Sequence, residues 1–269
     1  MKKLKKIFLR TFIAFVGIYI LTCGLLYFMQ EKIIFFPKKL TQNYKFQFDG
    51  KFEELNIITA DKIYLNGLLF KSDSSKGLIF YLHGNAGALD SWGDIAKTYT
   101  NLNYDMFILD YRGFGKSAGD ISNEEQFYSD VQSAYIHLKS RYSENKIVII
   151  GYSIGTGPAS MLASKNNPKA LLLQAPYFSL VDMMNKSYSF VPNFLLRYRF
   201  ETFTFIEQIK VPIVIFHGNS DEVIYYGSSL KLQKYLKATD KLVTLNGQGH
   251  NGMNNNFEYQ KELKNILNN

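Results

Sequence analysis

The 269-residue sequence contains very little cysteine. Its one cysteine, Cys23, lies inside a long apolar run, so no disulfide can form within the chain. C-x-x-C pairs, which are typical of structural zinc sites and of thiol redox centres, are also missing. The cysteine content therefore excludes a disulfide-stapled scaffold and a zinc or dithiol centre built on paired cysteines.

An excess of charge of one sign is also missing from most of the chain. The formal net charge is +8, but nine of the 31 lysines and arginines lie in the first 45 residues, beside the single acid Glu31. From residue 46 onward, bases and acids balance. A nucleic-acid-binding protein carries its basic patch on the folded domain, so this distribution argues against a nucleic-acid partner. The apolar fraction of 46% excludes a mostly disordered chain.

The basic N-terminal residues flank an apolar run from Ile7 to Met29, whose only charge is Arg10 near one end. This run is longer than the about 20 residues that cross a bilayer, and longer than the roughly 7–15-residue apolar region of a signal peptide. We therefore predict an uncleaved single-pass membrane anchor over residues 1–30. A cleaved or lipidated leader, with Cys23 as the lipid acceptor, and a buried core helix are the alternatives.

Basic residues are slightly more numerous at the N-terminal end of this run, where Arg10 is counted with the four lysines before it, than after the run, five against four. Because cytoplasmic flanks carry the excess of lysine and arginine, we predict a cytoplasmic N-terminus and an extracytoplasmic main domain. Residues 31–45 are interpreted as a juxtamembrane linker at the lipid surface. Residues 46–269 are interpreted as one large domain.

Short apolar runs alternate with longer amphipathic stretches through this domain. Strands that are apolar throughout and alternate with helices indicate an α/β fold, with a mostly parallel sheet and helices on both faces. In such sheets the chemistry collects at the carboxyl ends of the strands. The predicted strands are 52–60, 62–70, 78–83, 106–111, 146–151, 170–175, 212–218 and 241–245, and the predicted helices are 89–102, 122–141, 154–165, 227–237 and 254–267.

One segment interrupts this alternation. Residues 176–207 separate two predicted strands by more than a crossover helix requires, so we predict an inserted lid over the edge where ligands bind. The segment carries nine aromatic side chains together with Arg197 and Arg199. Beside a membrane anchor, such a lid suits an amphiphilic ester with an anionic head group. The alternative is that the aromatic side chains only pack the lid onto the sheet.

The predicted strand 146–151 runs directly into the sequence GYSIG, which places Ser153 between Gly151 and Gly155. A G-x-S-x-G motif between a strand and a helix is typical of a nucleophile elbow. The glycines leave room for a sharp turn, and the serine hydroxyl projects at a helix start, where the dipole favours negative charge. We therefore predict that Ser153 is a catalytic nucleophile. The alternative is a glycine-rich turn with an ordinary serine.

A serine hydroxyl needs a base to take its proton. Of the four histidines, His250 lies in a glycine-flanked loop after the last predicted strand and is our predicted base. His83 and His217 each precede a glycine at a strand end and are interpreted as structural. His137 falls within a predicted helix and is interpreted as packed or solvated.

The base in turn needs an acid that orients it. Asp221, in the sequence HGNSDEVI after the insertion, is our predicted acid, and the neighbouring Glu222 is expected to face solvent. Asp182 in the lid is the second candidate, while Asp110 precedes the nucleophile in the chain and is interpreted as organising a turn. The chain order serine, aspartate, histidine is that of the α/β-hydrolase architecture.

Acyl transfer also requires two preorganised donors for the oxyanion. The backbone N–H of Ile154, directly after the nucleophile, is the first predicted donor. The second is predicted in the loop 83–91, HGNAGALDS, where two glycines allow backbone N–H groups to point inward. Asn85 is the preferred residue and Ala86 is the next.

Five segments in this order, HGNAG, DYRGFGKSAG, GYSIGTGPA, HGNSDEVI and GHN, resemble the α/β-hydrolase superfamily and within it the Bem46-like group of membrane-anchored serine hydrolases. The resemblance extends from about residue 27 to the C-terminus. It implies an α/β-hydrolase fold and activity on esters, on acyl thioesters of proteins or on lysophospholipids. The sequence departs from the group at Tyr225, where the usual acid loop carries a proline.

Together these features predict a serine hydrolase that cleaves carboxylic ester or thioester bonds through an acyl-enzyme. Its substrate is expected to be a lipid-like or acylated molecule, and the reaction needs no metal and no organic cofactor. An acyltransferase with the same triad, and a non-catalytic membrane-anchored binding module, are the alternatives. The serine at position 153 excludes the aspartate-nucleophile mechanism of dehalogenases and epoxide hydrolases, and the oligomeric state is left open.

Overall fold

The centre of the computed structural model, which describes residues 2–268, is an eight-stranded sheet with the order β10-β9-β8-β7-β4-β6-β3-β2. In chain order the strands are β1 (Phe36–Pro37), β2 (Lys51–Ile58), β3 (Tyr64–Lys71), β4 (Leu78–Leu82), β5 (Ala86–Gly87), β6 (Asp105–Leu109), β7 (Ile147–Tyr152), β8 (Ala170–Gln174), β9 (Ile213–Gly218) and β10 (Lys241–Leu245). Only β3 runs antiparallel to its neighbours, β2 and β6. The mostly parallel sheet agrees with the prediction. The short strands β1 and β5 form a separate parallel pair that the sequence did not predict.

Helices connect the strands, as the amphipathic stretches predict. The stretch 89–102 differs from the prediction, because a 3₁₀ turn over Gly93–Ile95 divides it into two short helices. The helices are α1 (Lys2–Phe28), α2 (Gln30–Ile34), α3 (Leu89–Trp92), α4 (Ala96–Thr100), α5 (Glu124–Lys139), α6 (Thr156–Lys165), α7 (Leu180–Ser187), α8 (Thr202–Ile206), α9 (Gly227–Gln233) and α10 (Phe257–Asn268).

The central strands are buried on both faces, which explains their continuous apolar sequences. Successive side chains of a strand point to opposite faces, so Phe80 and Ile149 pack in one apolar layer. Their neighbours Tyr81 and Ile150 pack in a second layer on the other face. Helices therefore cover both sides of the sheet, as in the predicted architecture.

Helix α1 lies outside these two layers. An 18-residue window within it has a mean hydropathy of 2.1, and none of its described residues is buried. A helix of 27 residues with this composition is long and apolar enough to cross a bilayer. The direction in which it would cross stays a prediction.

The segment after α1 packs on the α/β domain rather than extending away from it. Phe35 is 5% exposed and belongs to the first apolar layer. Its ring lies 5.7 Å from that of Phe127 in α5 and 5.6 Å from that of Tyr198 in the lid. The two residues that follow, β1, pair with β5 in the loop after β4. Residues 31–45, interpreted as a linker, thus contribute to the core and to one loop of the domain.

The insertion 176–207 contains α7, a 3₁₀ turn over Asn193–Leu195, and α8. Most of its aromatic side chains pack within the protein, in agreement with the interpretation that they hold the lid on the sheet. For example, the rings of Phe178 and Phe203 stack with centroids 4.5 Å apart. The exceptions are exposed aromatic residues between α7 and the 3₁₀ turn and within it: Tyr188, Phe190 and Phe194.

The two lid arginines bind partners within the protein. Arg197 forms an ion pair with Glu31, and Arg199 pairs with Glu201 at 2.9 Å. Both guanidinium groups therefore have partners within the protein, and their role toward an anionic head group stays a prediction.

Candidate active site

The candidate site lies where the order of the strands reverses. The chain passes from β4 to β6 on one side and then to β7 on the other side of β4. In open α/β sheets the crevice at such a switch point, at the carboxyl ends of the strands, is where ligands bind. Ser153 directly follows β7 and Asn85 lies in the loop after β4.

The turn at Ser153 has the strained geometry of a nucleophile elbow. Ser153 has a φ of +54°, in the left-handed region that residues with a Cβ seldom adopt. A Cβ at Gly151 would lie 2.5 Å from the carbonyl oxygen of Gly155, and a Cβ at Gly155 would lie 2.2 Å from that of Leu82. Both glycines are therefore required by close backbone approaches, and the serine is held at the end of the strand.

The structure brings the predicted base and acid to this serine. The Nε2 atom of His250 lies 3.1 Å from Ser153 Oγ, and its Nδ1 atom lies 2.8 Å from Asp221 Oδ2. Because a carboxylate only accepts hydrogen bonds, Nδ1 carries the proton and Nε2 is free to accept the serine proton. His250 is 6% exposed and Ser153 is 7% exposed, so the contact is largely shielded from water.

The carboxylate of Asp221 is held from several sides. Its Oδ1 atom accepts the backbone N–H groups of Val223 and Ile224, both at 2.8 Å, and His217 Nε2 lies 3.3 Å from Oδ2. Burial alone would raise the pKa of Asp221, but hydrogen bonds from His217 and His250 and the charge of His250 outweigh it. The pKa of Asp221 is therefore held well below the usual range for aspartate, so the acid stays ionised beside the imidazole.

His217 is buried, as expected of a structural histidine, but it also contacts the acid. Its Nε2 atom lies 2.8 Å from the carbonyl oxygen of Ile224, so Nε2 carries a proton. Its Nδ1 atom then accepts the hydroxyl of Ser229 at 2.6 Å. These two bonds fix the ring against the carboxylate of Asp221.

Two further residues contact His250, a role that the sequence analysis assigned to neither of them. Glu222 is exposed, as expected, yet its Oε2 atom accepts the backbone N–H of His250 at 3.2 Å. Tyr152 donates its hydroxyl to the His250 carbonyl at 3.1 Å, and the two rings lie 5.2 Å apart. The only feature of the sequence that could have indicated these two residues is that each lies next to a candidate triad residue in the chain.

The loop that carries Asn85 is held by the chain just after α2. The backbone N–H of Phe36 donates to the Asn85 carbonyl at 2.8 Å, and that of Lys38 donates to the Gly87 carbonyl at 2.9 Å. The Asn85 side-chain amide donates to the Ile34 carbonyl at 2.9 Å. The backbone N–H of Asn85 donates no hydrogen bond within residues 2–268, so it is available to a ligand.

The same loop is supported from below by a buried pair. Asp110 accepts the backbone N–H of Leu89 at 3.2 Å and lies 3.6 Å from His83 Nε2. Burial raises the pKa of Asp110, partly offset by the neighbouring His83. This pair organises the loop and makes no contact with His250, in agreement with the interpretation of both residues as structural.

The remaining candidates lie elsewhere. Asp182, the second candidate for the acid, accepts hydrogen bonds from Tyr225 and Lys231 in place of His250. His137 is half-buried in the last turn of α5. In the described residues, no group of three or more histidine, cysteine, aspartate or glutamate side chains is arranged to hold a metal ion.

Comparison with known proteins identifies the family. The model of the family described as serine aminopeptidase, S33, matches residues 73–204. The chain is 30% identical over 228 residues to protein bem46 of Schizosaccharomyces pombe. This alignment covers 78% of this chain and 76% of that protein. The chain belongs to the Bem46-like α/β hydrolases.

One further relative agrees with this family, and one solved structure agrees with the fold. The Bem46-like chain is 32% identical over 203 residues to alpha/beta hydrolase domain-containing protein 17B of Xenopus laevis, covering 72% of this chain and 67% of that protein. An esterase of Pyrococcus furiosus shares its fold with a TM-score of 0.71 at 18% identity, over 87% of this chain and 97% of that one. The α/β-hydrolase fold and family are therefore established, and the family supports a hydrolase, while the reaction of this chain is a separate question.

Proposed function

We propose that this protein is a serine hydrolase that cleaves carboxylic ester or thioester bonds with Ser153, His250 and Asp221. The observation that carries the proposal is the continuous series of contacts from Asp221 Oδ2 through the imidazole to Ser153 Oγ, at 2.8 and 3.1 Å. This series ends at Ser153, whose backbone has a positive φ, the geometry that exposes the serine hydroxyl at a nucleophile elbow after β7.

In the first half-reaction, Ser153 Oγ attacks the acyl carbonyl while His250 Nε2 takes the hydroxyl proton. Asp221 stabilises the imidazolium that forms, which its lowered pKa favours. The tetrahedral oxyanion binds the backbone N–H groups of Ile154 and Asn85. The carbon–oxygen or carbon–sulfur bond then breaks, and His250 returns the proton to the leaving alcohol or thiol.

In the second half-reaction, water attacks the acyl-enzyme. His250 takes a proton from this water, a second tetrahedral intermediate forms, and its collapse releases the carboxylic acid and restores the Ser153 hydroxyl. An acyltransferase would admit an acceptor alcohol or thiol instead of water at this step, so product analysis separates these two reactions.

Peptide hydrolysis is the second candidate, because the matching family model is described as a serine aminopeptidase. An aminopeptidase needs an anionic group for the free α-amino group of its substrate. The exposed Glu222 carboxylate lies next to the site, where it accepts the His250 backbone N–H. Comparing aminoacyl anilides with acyl esters and thioesters as substrates distinguishes these activities.

The position of α1 supports a lipid-like substrate. Only seven residues separate the end of α1, at Phe28, from Phe36, whose N–H binds the loop of Asn85. The oxyanion loop is therefore close to the point where the chain would leave a membrane. We infer that the natural substrate is an acyl ester or thioester held in that membrane. Cleavage of short soluble esters alone, with long acyl chains in vesicles left intact, would contradict this.

We also infer that residues 1–30 form an uncleaved single-pass anchor, that 31–45 join it to the catalytic domain 46–269, and that this domain is extracytoplasmic. The exposed apolar surface of α1 and the five basic residues at its N-terminal end support this arrangement. Digestion of sealed, right-side-out vesicles with an external protease should remove the domain. Protection of the domain in intact vesicles, lost on permeabilisation, would reverse the orientation.

The first test is labelling of the active serine with a fluorophosphonate probe. Wild type should label, and Ser153→Ala and His250→Ala should not, because the first lacks the nucleophile and the second lacks its base. Ser160→Ala is the matched control: Ser160 is also buried and donates only to the carbonyl of Thr156 within α6. A folded wild-type protein that fails to label would favour a non-catalytic binding module.

A further inference from the structure

The end of the lid exposes large aromatic side chains. This lid tip, residues 188–195 between α7 and α8, contains Tyr188, Phe190 and Phe194, which are 58%, 66% and 80% exposed. Single exposed apolar residues are common on protein surfaces, but several together mark a surface that another apolar phase covers. The lid tip therefore needs a partner that accepts aromatic side chains.

The lid tip lies beside α1. The hydroxyl of Tyr19 donates a hydrogen bond of 2.8 Å to the carbonyl oxygen of Phe190. Tyr19 precedes the end of α1, at Phe28, by nine residues, or about 14 Å along a helix axis. The lid tip thus reaches the level of the apolar stretch of α1, beyond the polar residues that follow the helix.

This contact also explains how a tyrosine is tolerated at that level. A hydroxyl in hydrocarbon without a partner costs several kcal/mol, roughly 2–7 by transfer scales. The Phe190 carbonyl gives Tyr19 an acceptor, and Tyr19 gives that carbonyl a donor. Each therefore removes an unpaired polar group that lipid could not satisfy.

Part of the backbone of the lid tip is paired. Val191 N–H donates to the Tyr188 carbonyl at 2.9 Å, and Leu195 N–H donates to the Pro192 carbonyl at 3.0 Å. Pro192 has no N–H to satisfy, and the Leu195 carbonyl accepts the Gln30 side chain at 2.7 Å. These bonds reduce the cost of placing non-helical backbone in an apolar phase.

Charge marks the limits of this surface. No charged residue occurs from position 187 to 196, whereas Lys186 precedes the segment and Arg197 follows it. Arg197 is paired with Glu31, which lies just after α1. The charged pair that joins the lid to the chain after α1 therefore lies at the domain end of the helix, as at a membrane boundary.

From these observations we propose that the lid tip inserts among the acyl chains of the bilayer that holds α1. The occupant of the aromatic surface is thus lipid. The inference rests on the proposed anchoring by α1, and it adds a second membrane contact from the catalytic domain itself. Two contacts orient the domain on the membrane, and the lid that borders the catalytic edge of the sheet then faces lipid.

The test uses the full chain in vesicles of phosphatidylcholine and phosphatidylglycerol. In a Cys23→Ser background, Phe194→Cys carries an environment-sensitive fluorophore, and the lipids carry spin labels on their acyl chains as quenchers. Ile13→Cys in α1 tests the anchor. Ile136→Cys is the matched control outside the lid, because Ile136 is an exposed apolar residue, 58%, on α5. Thermal unfolding midpoints check that each labelled variant is folded.

We expect a blue shift and lipid quenching at position 194 comparable to those at position 13, with neither at position 136. Quenching at 13 without quenching at 194 would overturn the insertion of the lid while leaving the anchor intact. No quenching at either position would overturn the anchor and the lid inference together. A probe at 194 that is shielded from aqueous iodide but not quenched by lipid would mean that a second copy covers the tip, and would also overturn the proposal.

Discussion

At the scale of single residues, Asp221 connects stability to the chemistry of the site. Its carboxylate receives two backbone N–H groups on one oxygen and faces two imidazoles on the other. Each of these contacts favours the ionised form, which explains the lowered pKa despite burial. The same ionised group holds the His250 proton on Nδ1, which leaves Nε2 free to act as the proposed base.

The lowered pKa of Asp221 predicts a pH-dependent contribution to stability. Because the folded pKa lies below the unfolded value of about 3.9, this contribution is present above about pH 4 and is lost as the pH falls toward the folded pKa. We expect the difference in free energy of unfolding between wild type and Asp221→Asn to shrink as the pH is lowered from 6 to 3. Chemical denaturation of both proteins across this range measures it, and a constant difference would contradict the assignment.

Asp221→Asn should also abolish most activity. The amide cannot stabilise an imidazolium and favours the wrong tautomer of His250, so we expect kcat to fall by roughly a thousandfold or more, with a smaller change in KM. Steady-state kinetics on a short acyl ester measure this. Retention of near wild-type kcat would remove Asp221 from the triad and reopen the choice of acid.

Glu222 is expected to act as a positioning residue through the backbone of His250. Glu222→Ala removes the acceptor of the His250 N–H, whereas Glu222→Gln keeps an acceptor oxygen at that place. We expect kcat to fall roughly three- to tenfold in the alanine variant and to recover in the glutamine variant. Equal losses in both variants would mean that the negative charge, not the hydrogen bond, is what matters.

At the scale of secondary-structure elements, the pair β1–β5 links the anchor segment to catalysis. It brings two backbone donors of the chain after α2 onto the carbonyls of Asn85 and Gly87. The Trp92 indole holds the intervening carbonyl of Ala86 at 2.8 Å. Three successive carbonyls of the loop are thus fixed, which would preorganise the Asn85 N–H for the oxyanion of the proposed reaction.

Removal of one of these donors tests this role. Phe36→Pro eliminates the N–H that binds Asn85, while Phe36→Ala keeps it and removes only an exposed side chain. We expect kcat to be roughly fivefold or more lower in the proline variant than in the alanine variant, with a similar KM, because one hydrogen bond of about 1 kcal/mol is lost. Identical kinetics would show that the loop keeps its geometry without β1.

At the scale of the whole molecule, the anchor, the lid and the catalytic edge of the sheet lie together. The contacts of Gln30 and Glu31 with the lid, and of β1 with the oxyanion loop, place α1 beside the candidate site. A membrane anchor at this position raises the local concentration of any substrate that shares the membrane.

Deletion of the anchor should therefore separate two activities. Without residues 2–28, we expect kcat/KM on a short soluble ester to stay within about threefold of wild type, since the core and β1 remain. On a long-chain ester in vesicles, we expect a loss of roughly tenfold or more, because the local concentration is lost. Parallel assays on both substrates check this, and an unchanged vesicle activity would dissociate the anchor from substrate access.

The sequence by itself determined the α/β-hydrolase fold, the hydrolase family and the apolar helix at the N-terminus. These follow from local patterns, since a strand buried on both faces must be continuously apolar and an elbow needs glycine at positions 151 and 155. The candidate triad was also proposed from motif order, and the structure places its three side chains in one continuous series of contacts.

Only the tertiary structure decided what depends on distant segments. The pairing of β1 with β5, the bond from Tyr19 to Phe190 and the contact of Glu222 with His250 join residues 28 to 171 positions apart. Such contacts leave no periodic trace in the chain, because one backbone donor or one carboxylate suffices for each. The pairing of Arg197 with Glu31, 166 positions away, was hidden for the same reason: a charge looks alike in sequence whether it meets a ligand or a glutamate of the same protein.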